Sequence, residues 1–136
     1  MKLEHKQINF EDARGTIRDI FPREPKDTCT IITSKKGSVR GNHYHKESTQ
    51  YTYIVSGQLS MYHKDLNDPN AKVGVSIMRE GDLMTHGFNE AHTLVADEDT
   101  VFLAFADGLR GGEDYEKDTY RLETPLTEEY AKQENI

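Results

Sequence analysis

The middle of the chain is a succession of short segments rich in β-branched and aromatic residues, each separated from the next by turn-forming residues. Such segments predict β-strands, because these side chains fit the pleated surface of a sheet. The predicted strands are Thr28–Ser34, Ser38–His45, Gln50–Ser56, Gln58–Lys64, Lys72–Met78, Ala91–Ala96 and Thr100–Ala106, with a further edge strand at Thr16–Phe21. Many short strands joined by tight turns favour an all-β antiparallel sandwich or small barrel.

The character of the chain changes after Ala106, where a glycine-rich polar stretch at 108–114 predicts a loop. Thr124 and Pro125 then predict a short C-terminal helix that reaches about Gln133, with Thr124 as N-cap. No repeat or linker divides the 136 residues. We therefore expect a single domain at 1–136, with a core at about 10–106 and a loop and helical tail at 107–136.

The charge balance restricts the class of partner. A formal net charge of −7 argues against a nucleic acid or an anionic membrane, because both are polyanionic. A small phosphate-bearing ligand stays possible if arginines converge at one place.

The single cysteine, Cys29, fits a reducing compartment and is expected to be a small core residue. The first residues lack the apolar core of a secretory signal, and no segment has the length of a membrane span, so a cytoplasmic location is expected.

Two histidines stand two residues apart in one predicted strand. Because side chains alternate along a strand, His43 and His45 project to the same face. Gln50 can bring an oxygen from the next strand, and two imidazoles with an oxygen donor make half a site for a divalent transition metal. Gly37 and Gly57 predict the turns that bring these strands together.

The same alternation assigns faces to the strand that follows. If Gln50 faces the two histidines, Thr52 and Ile54 do so as well, whereas Tyr51 and Tyr53 face the other way. Two roles stay open for the tyrosines, packing between two sheets or a place in a subunit interface.

This glycine-bounded segment and a second one, Gly81–Ala96, resemble the two motifs of the cupin superfamily. The matching positions are Gly37, His43, His45 and Gly57 in the first motif, and Gly81 and His92 in the second. Gln50 stands where glutamate is usual, Gly87 where proline is usual and Asn89 where glycine is usual. The resemblance implies a small jelly-roll β-barrel with a short C-terminal helix.

The resemblance also implies one divalent transition metal, either zinc, iron, manganese or nickel. Its ligands would be His43, His45, Gln50 and His92. A glutamine is neutral and offsets none of the charge of the ion, so the site should hold a metal less tightly than a glutamate counterpart. Two alternatives stay open: a site that has lost its metal and uses histidine as a plain base, and an oxygen ligand from Glu47 or Glu90.

A narrower resemblance runs through Asp12–Gly15 and Arg40–His45. These strings are similar to those of cupins that act on nucleotide-linked sugars: the deoxysugar 3,5-epimerases, the dTDP-sugar 3,4-ketoisomerases, and the C-terminal cupin of bifunctional capsular-sugar enzymes. The resemblance implies an isomerase or epimerase that removes a proton next to a carbonyl, with His43 as general base. Arg14 and Arg40 would hold a diphosphate, and a surface ion pair is the alternative for each.

Other roles stay open at this point. His63 can line the cavity as an acid or base, and His86 lies near its presumed mouth, although each is expected to be simply exposed. The chain can also be a metal-dependent dioxygenase or a non-catalytic cupin that binds a small ligand. The expected partners are a small molecule such as a phosphate-bearing sugar and, in a homodimer, a second copy of the chain.

Overall fold

In the part of the chain that the structure describes, the strands form two antiparallel five-stranded sheets and one separate hairpin. The computed structural model describes residues 1–108 and 117–135. The strands are β1 Lys2–His5, β2 Phe10–Asp12, β3 Gly15–Ile17, β4 Thr28–Ser34, β5 Val39–Tyr44, β6 Thr49–Ser56, β7 Gln58–Asp65, β8 Gly74–Arg79, β9 Asp82–His86, β10 Glu90–Ala96, β11 Thr100–Asp107 and β12 Tyr120–Arg121, and the helix α1 is Leu126–Glu134.

The strand order distinguishes the two sheets. The first sheet has the order β1-β9-β6-β11-β4, the second has the order β12-β5-β10-β7-β8, and β2 pairs only with β3. Strands that are neighbours in the chain therefore often lie in different sheets, as β5 and β6 do. The prediction of an all-β, jelly-roll barrel with a short C-terminal helix is confirmed.

The main core lies between the inner faces of the two sheets. Its buried side chains come from both, among them Ile54 and Phe102 from the first sheet and Met61 and Leu94 from the second. Burial of side chains of this size contributes about 1.5–3 kcal/mol each, which makes this layer the main source of stability. A smaller cluster around Leu126 fixes α1 against Val73 and Ala91.

The predicted strands of the middle of the chain are present, with ends displaced by at most a few residues. The expected edge strand at Thr16–Phe21 is shorter and forms β3. Sequence reasoning missed β1, β2, β9 and β12, which are short or lie in segments of mixed polarity. The loop predicted at 108–114 lies almost wholly outside the described residues.

Two local predictions were wrong. Thr124 is not the N-cap of α1; Pro125 holds that position, and the amide of Leu126 donates instead to Oδ1 of Asn42 at 3.0 Å. Cys29 is exposed rather than buried, because it lies on β4, an edge strand of the first sheet, opposite Phe105 on the outer face.

The outer face of the first sheet is covered by the N-terminal segment of the same chain. The ring of Phe21 meets that of Tyr51 edge-on at 5.0 Å, and Nζ of Lys26 lies 4.2 Å from the centre of the Tyr51 ring. Arg18 donates to the hydroxyl of Tyr53 at 3.2 Å. The two tyrosines therefore face the N-terminal segment of the same chain and do not lie in the space between the two sheets. Among the described residues, no helix has the length and apolar character needed to cross a membrane.

Two turn glycines share a left-handed backbone but differ in their surroundings. Gly37 and Gly57 have φ of 87° and 94°. A Cβ at Gly57 would lie 2.5 Å from the carbonyl oxygen of Asp99 and 2.5 Å from Oγ1 of Thr100, whereas a Cβ at Gly37 would meet nothing within 4 Å. Both glycines avoid backbone strain, and Gly57 in addition allows the β6–β7 turn to approach the start of β11 closely.

We predict that Gly57→Ala destabilises the protein more than Gly37→Ala. The left-handed backbone costs each variant about 1–2 kcal/mol, and overpacking costs Gly57→Ala a further 1–3 kcal/mol, roughly. Urea unfolding of both variants beside the wild type measures the difference. Equal losses would show that the turn at Gly57 relaxes freely, against the packing argument.

Candidate active site

The central strand of the second sheet brings three histidines into one row. On β10, His92 lies opposite His43 of β5 on one side and opposite His63 of β7 on the other. Directly opposed residues of antiparallel strands project to the same face of a sheet. The side chains of all three histidines therefore project from the inner face of the sheet, beside the core.

A β-bulge lies next to this row. Along β10 the partners on β5 are His43, then Gly41, then Arg40, so that Asn42 is an extra residue without a counterpart. Its φ of 63° is left-handed, which asparagine tolerates better than most residues. In a regular strand, residues three apart project to opposite faces, but the extra residue brings Arg40 and His43 to the same one. Both line the same cavity.

The side chain of Asn42 ties the bulge to distant parts of the chain. Its Oδ1 accepts hydrogen bonds from Oγ1 of Thr93 at 3.2 Å and from the amide of Leu126 at 3.0 Å. Its Nδ2 donates to the carbonyl of Leu122 at 3.4 Å. The bulge is thus held both by β10 and by the segment that leads into α1.

Three imidazoles converge at one place, and two of them, His43 and His92, line the cavity. One ring nitrogen from each of His43, His45 and His92 lies within 4.8 Å of the others. Nδ1 of His45 lies 2.7 Å from the carbonyl oxygen of Asp118, and Nδ1 of His92 lies 3.0 Å from that of Glu90. A carbonyl only accepts, so each Nδ1 carries the proton and Nε2 keeps its lone pair. This arrangement of carbonyl-oriented imidazoles fits the needs of a divalent transition metal.

The cavity has a volume of about 300 Å³. Its polar lining consists of Arg40, His43, Gln50, Thr52, His92 and Arg121. Its apolar lining includes Ile32, Leu94 and Phe102. Gln50 faces this space from β6 of the opposite sheet, so the two sheets bring the expected oxygen donor and two of the expected imidazoles to one place.

His86 lies inside the barrel and not, as expected, at an exposed mouth. It is 1% exposed, and its ring centre lies 4.3 Å from that of His92. Its Nε2 lies 3.3 Å from Oγ1 of Thr52. Burial, with the neighbouring His92 and His45, holds the pKa of His86 well below its ordinary value, so the ring is neutral near pH 7. The burial of His86 was not expected because sequence reasoning missed β9, the strand that pairs His86 with Gln50 of β6.

His63 is half-buried on the far side of His92. Its Nε2 lies 3.1 Å from Oγ of Ser76, and burial lowers its pKa. It does not line the cavity that holds His43.

Of the alternative oxygen donors, Oε1 of Glu90 accepts the amide of Gly87 at 3.0 Å, and Glu47 is exposed.

The arginines occupy different surroundings. Arg40 donates from Nε to Oγ of Ser34 and from Nη2 to the carbonyl of Thr33, both at 2.9 Å, so it connects β5 of the second sheet to β4 of the first through uncharged oxygens. Arg14 does not reach the cavity within one chain. It lies on the separate β2–β3 hairpin with its side chain 87% exposed, and its Nη2 is 2.7 Å from Oδ2 of Asp12.

A second cavity arginine was not found from the sequence. Arg121 of β12 lies opposite His43 and lines the cavity. It follows the core motifs by many residues and belongs to a strand of two residues, too short to give a periodic signal. Within one chain the cavity is thus lined by Arg40 and Arg121, and Arg14 makes the surface ion pair that was considered as its alternative.

Comparison with protein families gives one match. The family model described as "Cupin" matches residues 19–124. Comparison with curated proteins gives no match.

Solved structures share the fold at low sequence identity. A dTDP-4-dehydrorhamnose 3,5-epimerase from Sulfolobus tokodaii is 21% identical, with a TM-score of 0.76 over 91% of this chain and 77% of that one. A sugar 3,4-ketoisomerase from Thermoanaerobacterium thermosaccharolyticum, solved with TDP, is 17% identical, with a TM-score of 0.73 over 97% and 95%. A 3,4-ketoisomerase from Helicobacter canadensis is 18% identical, with a TM-score of 0.72 over 99% and 97%.

We predict that Asn42→Ala destabilises the protein more than Asn42→Gly. Both variants lose the three side-chain hydrogen bonds, but only alanine adds the cost of a left-handed backbone, roughly 1 kcal/mol. In a regular strand the order is reversed, because glycine there is about 0.5–1 kcal/mol worse than alanine. Urea unfolding gives the order, and an alanine variant that equals or exceeds the glycine variant in stability would argue against the bulge.

Proposed function

Because this chain belongs to the cupin family, we propose that its cavity is the active site of an isomerase or epimerase acting on a ketosugar, in particular a nucleotide-linked one. The observation that carries the proposal is the convergence of Arg40 and His43 on one cavity. An imidazole and a guanidinium side by side supply the two things such a substrate needs, a base and an anion-binding group. The epimerases and ketoisomerases of the same fold support this choice.

The reaction consists of removing a proton from a carbon next to a carbonyl and returning a proton at that carbon or its neighbour. In the metal-free protein, His43 is the base that takes the proton. An imidazole suits this task because its ordinary pKa is close to physiological pH. The negative charge then moves onto the carbonyl oxygen, where a cationic or hydrogen-bonding group is needed. His63 has no part in this scheme, because it does not line the cavity.

The phosphate groups of the substrate bind to Arg40 and Arg121. A guanidinium binds phosphate through two parallel hydrogen bonds, which adds direction to charge attraction. The two arginines also make the cavity locally positive in a protein whose net charge is −7. Arg14 is not needed for this step within one chain, since Asp12 already pairs with it.

His43, His45, His92 and Gln50 would hold a divalent transition metal. The Nδ1–H groups of His45 and His92, each turned to a backbone carbonyl, favour this interpretation. When bound, the metal supplies positive charge that stabilises an enolate. One nitrogen cannot both hold a metal and accept a proton, so His43 would be a ligand in a metal-bound protein and is the base in the metal-free one.

The proposed assembly is a homodimer. The support comes from β4, which is an edge strand of the first sheet and carries Ile31 with 69% of its surface exposed. Exposed edge strands with apolar side chains are places where a second chain adds.

We predict that His43→Asn abolishes proton exchange at a ketosugar. Protein that a chelator has freed of metal is incubated in heavy water with a nucleotide-linked 4-keto sugar. Deuterium uptake next to the carbonyl is measured by mass spectrometry. Loss of a general base should lower the rate by at least about 100-fold. His5→Asn is the matched control, because His5 is exposed and pairs with Asp82 outside the cavity.

The exchange assay can contradict the proposal in two ways. Wild-type protein that incorporates no deuterium from a broad panel of 4-keto nucleotide sugars would argue against an isomerase. Exchange that survives in His43→Asn would keep the reaction but remove His43 from the role of base.

We predict that Gln50→Glu tightens zinc binding by about tenfold or more, which corresponds to roughly 1.4 kcal/mol. The added carboxylate contributes a negative charge that glutamine lacks, at a position that faces His43 and His92. Competition with a chromophoric chelator at neutral pH measures the affinity, and Gln7→Glu, at an exposed position between β1 and β2, is the control. Unchanged affinity in Gln50→Glu would exclude this residue as a ligand.

A further inference from the structure

The carboxylate of Asp118 is buried in a nest of hydrogen-bond donors at the turn after β5. It accepts the amides of Lys46 at 2.9 Å and Glu47 at 2.8 Å, and the hydroxyl of Ser48 at 2.8 Å. Asp118 is 1% exposed and Ser48 is fully buried. Burial alone would raise the pKa of Asp118, but the three hydrogen bonds outweigh it and lower the pKa below its ordinary value.

The main chain of the same residue touches the histidine cluster. The carbonyl oxygen of Asp118 accepts Nδ1–H of His45 at 2.7 Å, and His45 is itself 3% exposed. One residue thus grips the turn that follows His45 with its side chain and holds the ring of His45 with its backbone. The two contacts are coupled, because the carboxylate determines where the carbonyl lies.

We propose that Asp118 is a positioning residue that fixes the tautomer and orientation of His45. With Nδ1–H turned to the Asp118 carbonyl, His45 presents the lone pair of Nε2, the form required of a metal ligand or proton acceptor. Asp118 does not line the cavity and acts only through His45. The inference rests on the proposed function for its effect on turnover, but not for its effect on His45.

This role belongs to a wider contact between the C-terminal segment and β5. Tyr120 stacks on Tyr44 with ring centres 5.4 Å apart, and the amide of Leu122 donates to the carbonyl of Asn42 at 3.0 Å. The segment that Asp118 begins therefore runs along the whole histidine-bearing end of β5. Loss of the Asp118 carboxylate releases the end of this contact that is nearest to His45.

The test is the tautomer of His45 in metal-free protein. Long-range ¹H–¹⁵N NMR spectra of ¹⁵N-histidine protein distinguish Nδ1–H from Nε2–H, and His45→Gln identifies the signal. We expect the Nδ1–H form in the wild type and a mixture of tautomers in Asp118→Ala. We also expect zinc affinity in Asp118→Ala to fall by about 10–100-fold, the usual effect of removing a group that orients a ligand.

Asp97 offers a matched control. Its carboxylate also accepts side-chain hydrogen bonds, from Gln58 at 2.9 Å and Ser60 at 2.8 Å, but it touches none of the histidines of the cavity. Asp97→Ala should leave both the tautomer of His45 and zinc affinity unchanged even if it lowers stability. A shift in Asp97→Ala equal to that in Asp118→Ala would overturn the inference, because general loosening would then explain both.

Milder variants keep the test decisive if Asp118→Ala does not fold. Asp118→Asn retains one acceptor oxygen but opposes an amide group to a backbone donor, so it should shift the tautomer in the same direction. Ser48→Ala removes only one of the three donors and should retain the Nδ1–H form. An unchanged His45 signal in folded Asp118→Asn or Asp118→Ala would overturn the positioning role, whatever the outcome of the deuterium-exchange assay.

Discussion

The site depends first on the β-bulge at Asn42. A regular β5 would direct either Arg40 or His43 away from the cavity, because residues three apart in a strand face opposite ways. One extra residue with a left-handed backbone removes this conflict. The proposed base and the proposed phosphate ligand can then share a cavity of about 300 Å³ without any loop between them.

Hydrogen bonds orient the histidines in the polar part of the barrel interior. His45 and His92 turn their Nδ1–H groups to backbone carbonyls, and His86 is kept neutral by burial. Neutral imidazoles can pack closely where charged ones would repel each other. With Nδ1–H of His45 and His92 directed to carbonyls, Nε2 is the nitrogen of each ring that would bind a metal.

The site is assembled from parts of the chain that are far apart in sequence. Residues 118–126 contact β5 and the turn that follows it through Asp118, Tyr120, Leu122 and Leu126. Arg121 enters the cavity from the same segment. The sequence suggests that this C-terminal tail is peripheral, but in the structure it forms one wall of the cavity. Its residues also contact β5, the strand that carries His43.

Much of the fold and part of the site could be predicted, and the failures have physical causes. The strands between Thr28 and Ala106, except β9, were found because their β-branched side chains and turn residues act locally. The shared face of His43 and His45 followed from alternation, and the addition of His92 followed from the cupin resemblance. Arg14 makes the surface ion pair that was considered as its alternative. Arg121 was missed and His86 was misread, because their positions depend on strand pairings that no local pattern records.

The sequence by itself determined the all-β class, the cupin resemblance and the strand that carries His43 and His45, because these depend on local periodicity and spacing. Only the tertiary structure decided which arginines reach the cavity, that Gln50 lies opposite a buried His86, and that Asp118 holds His45. Those relations arise from strand register and from one bulge. Register is a property of paired strands, and a single inserted residue reverses the face of every residue beyond it.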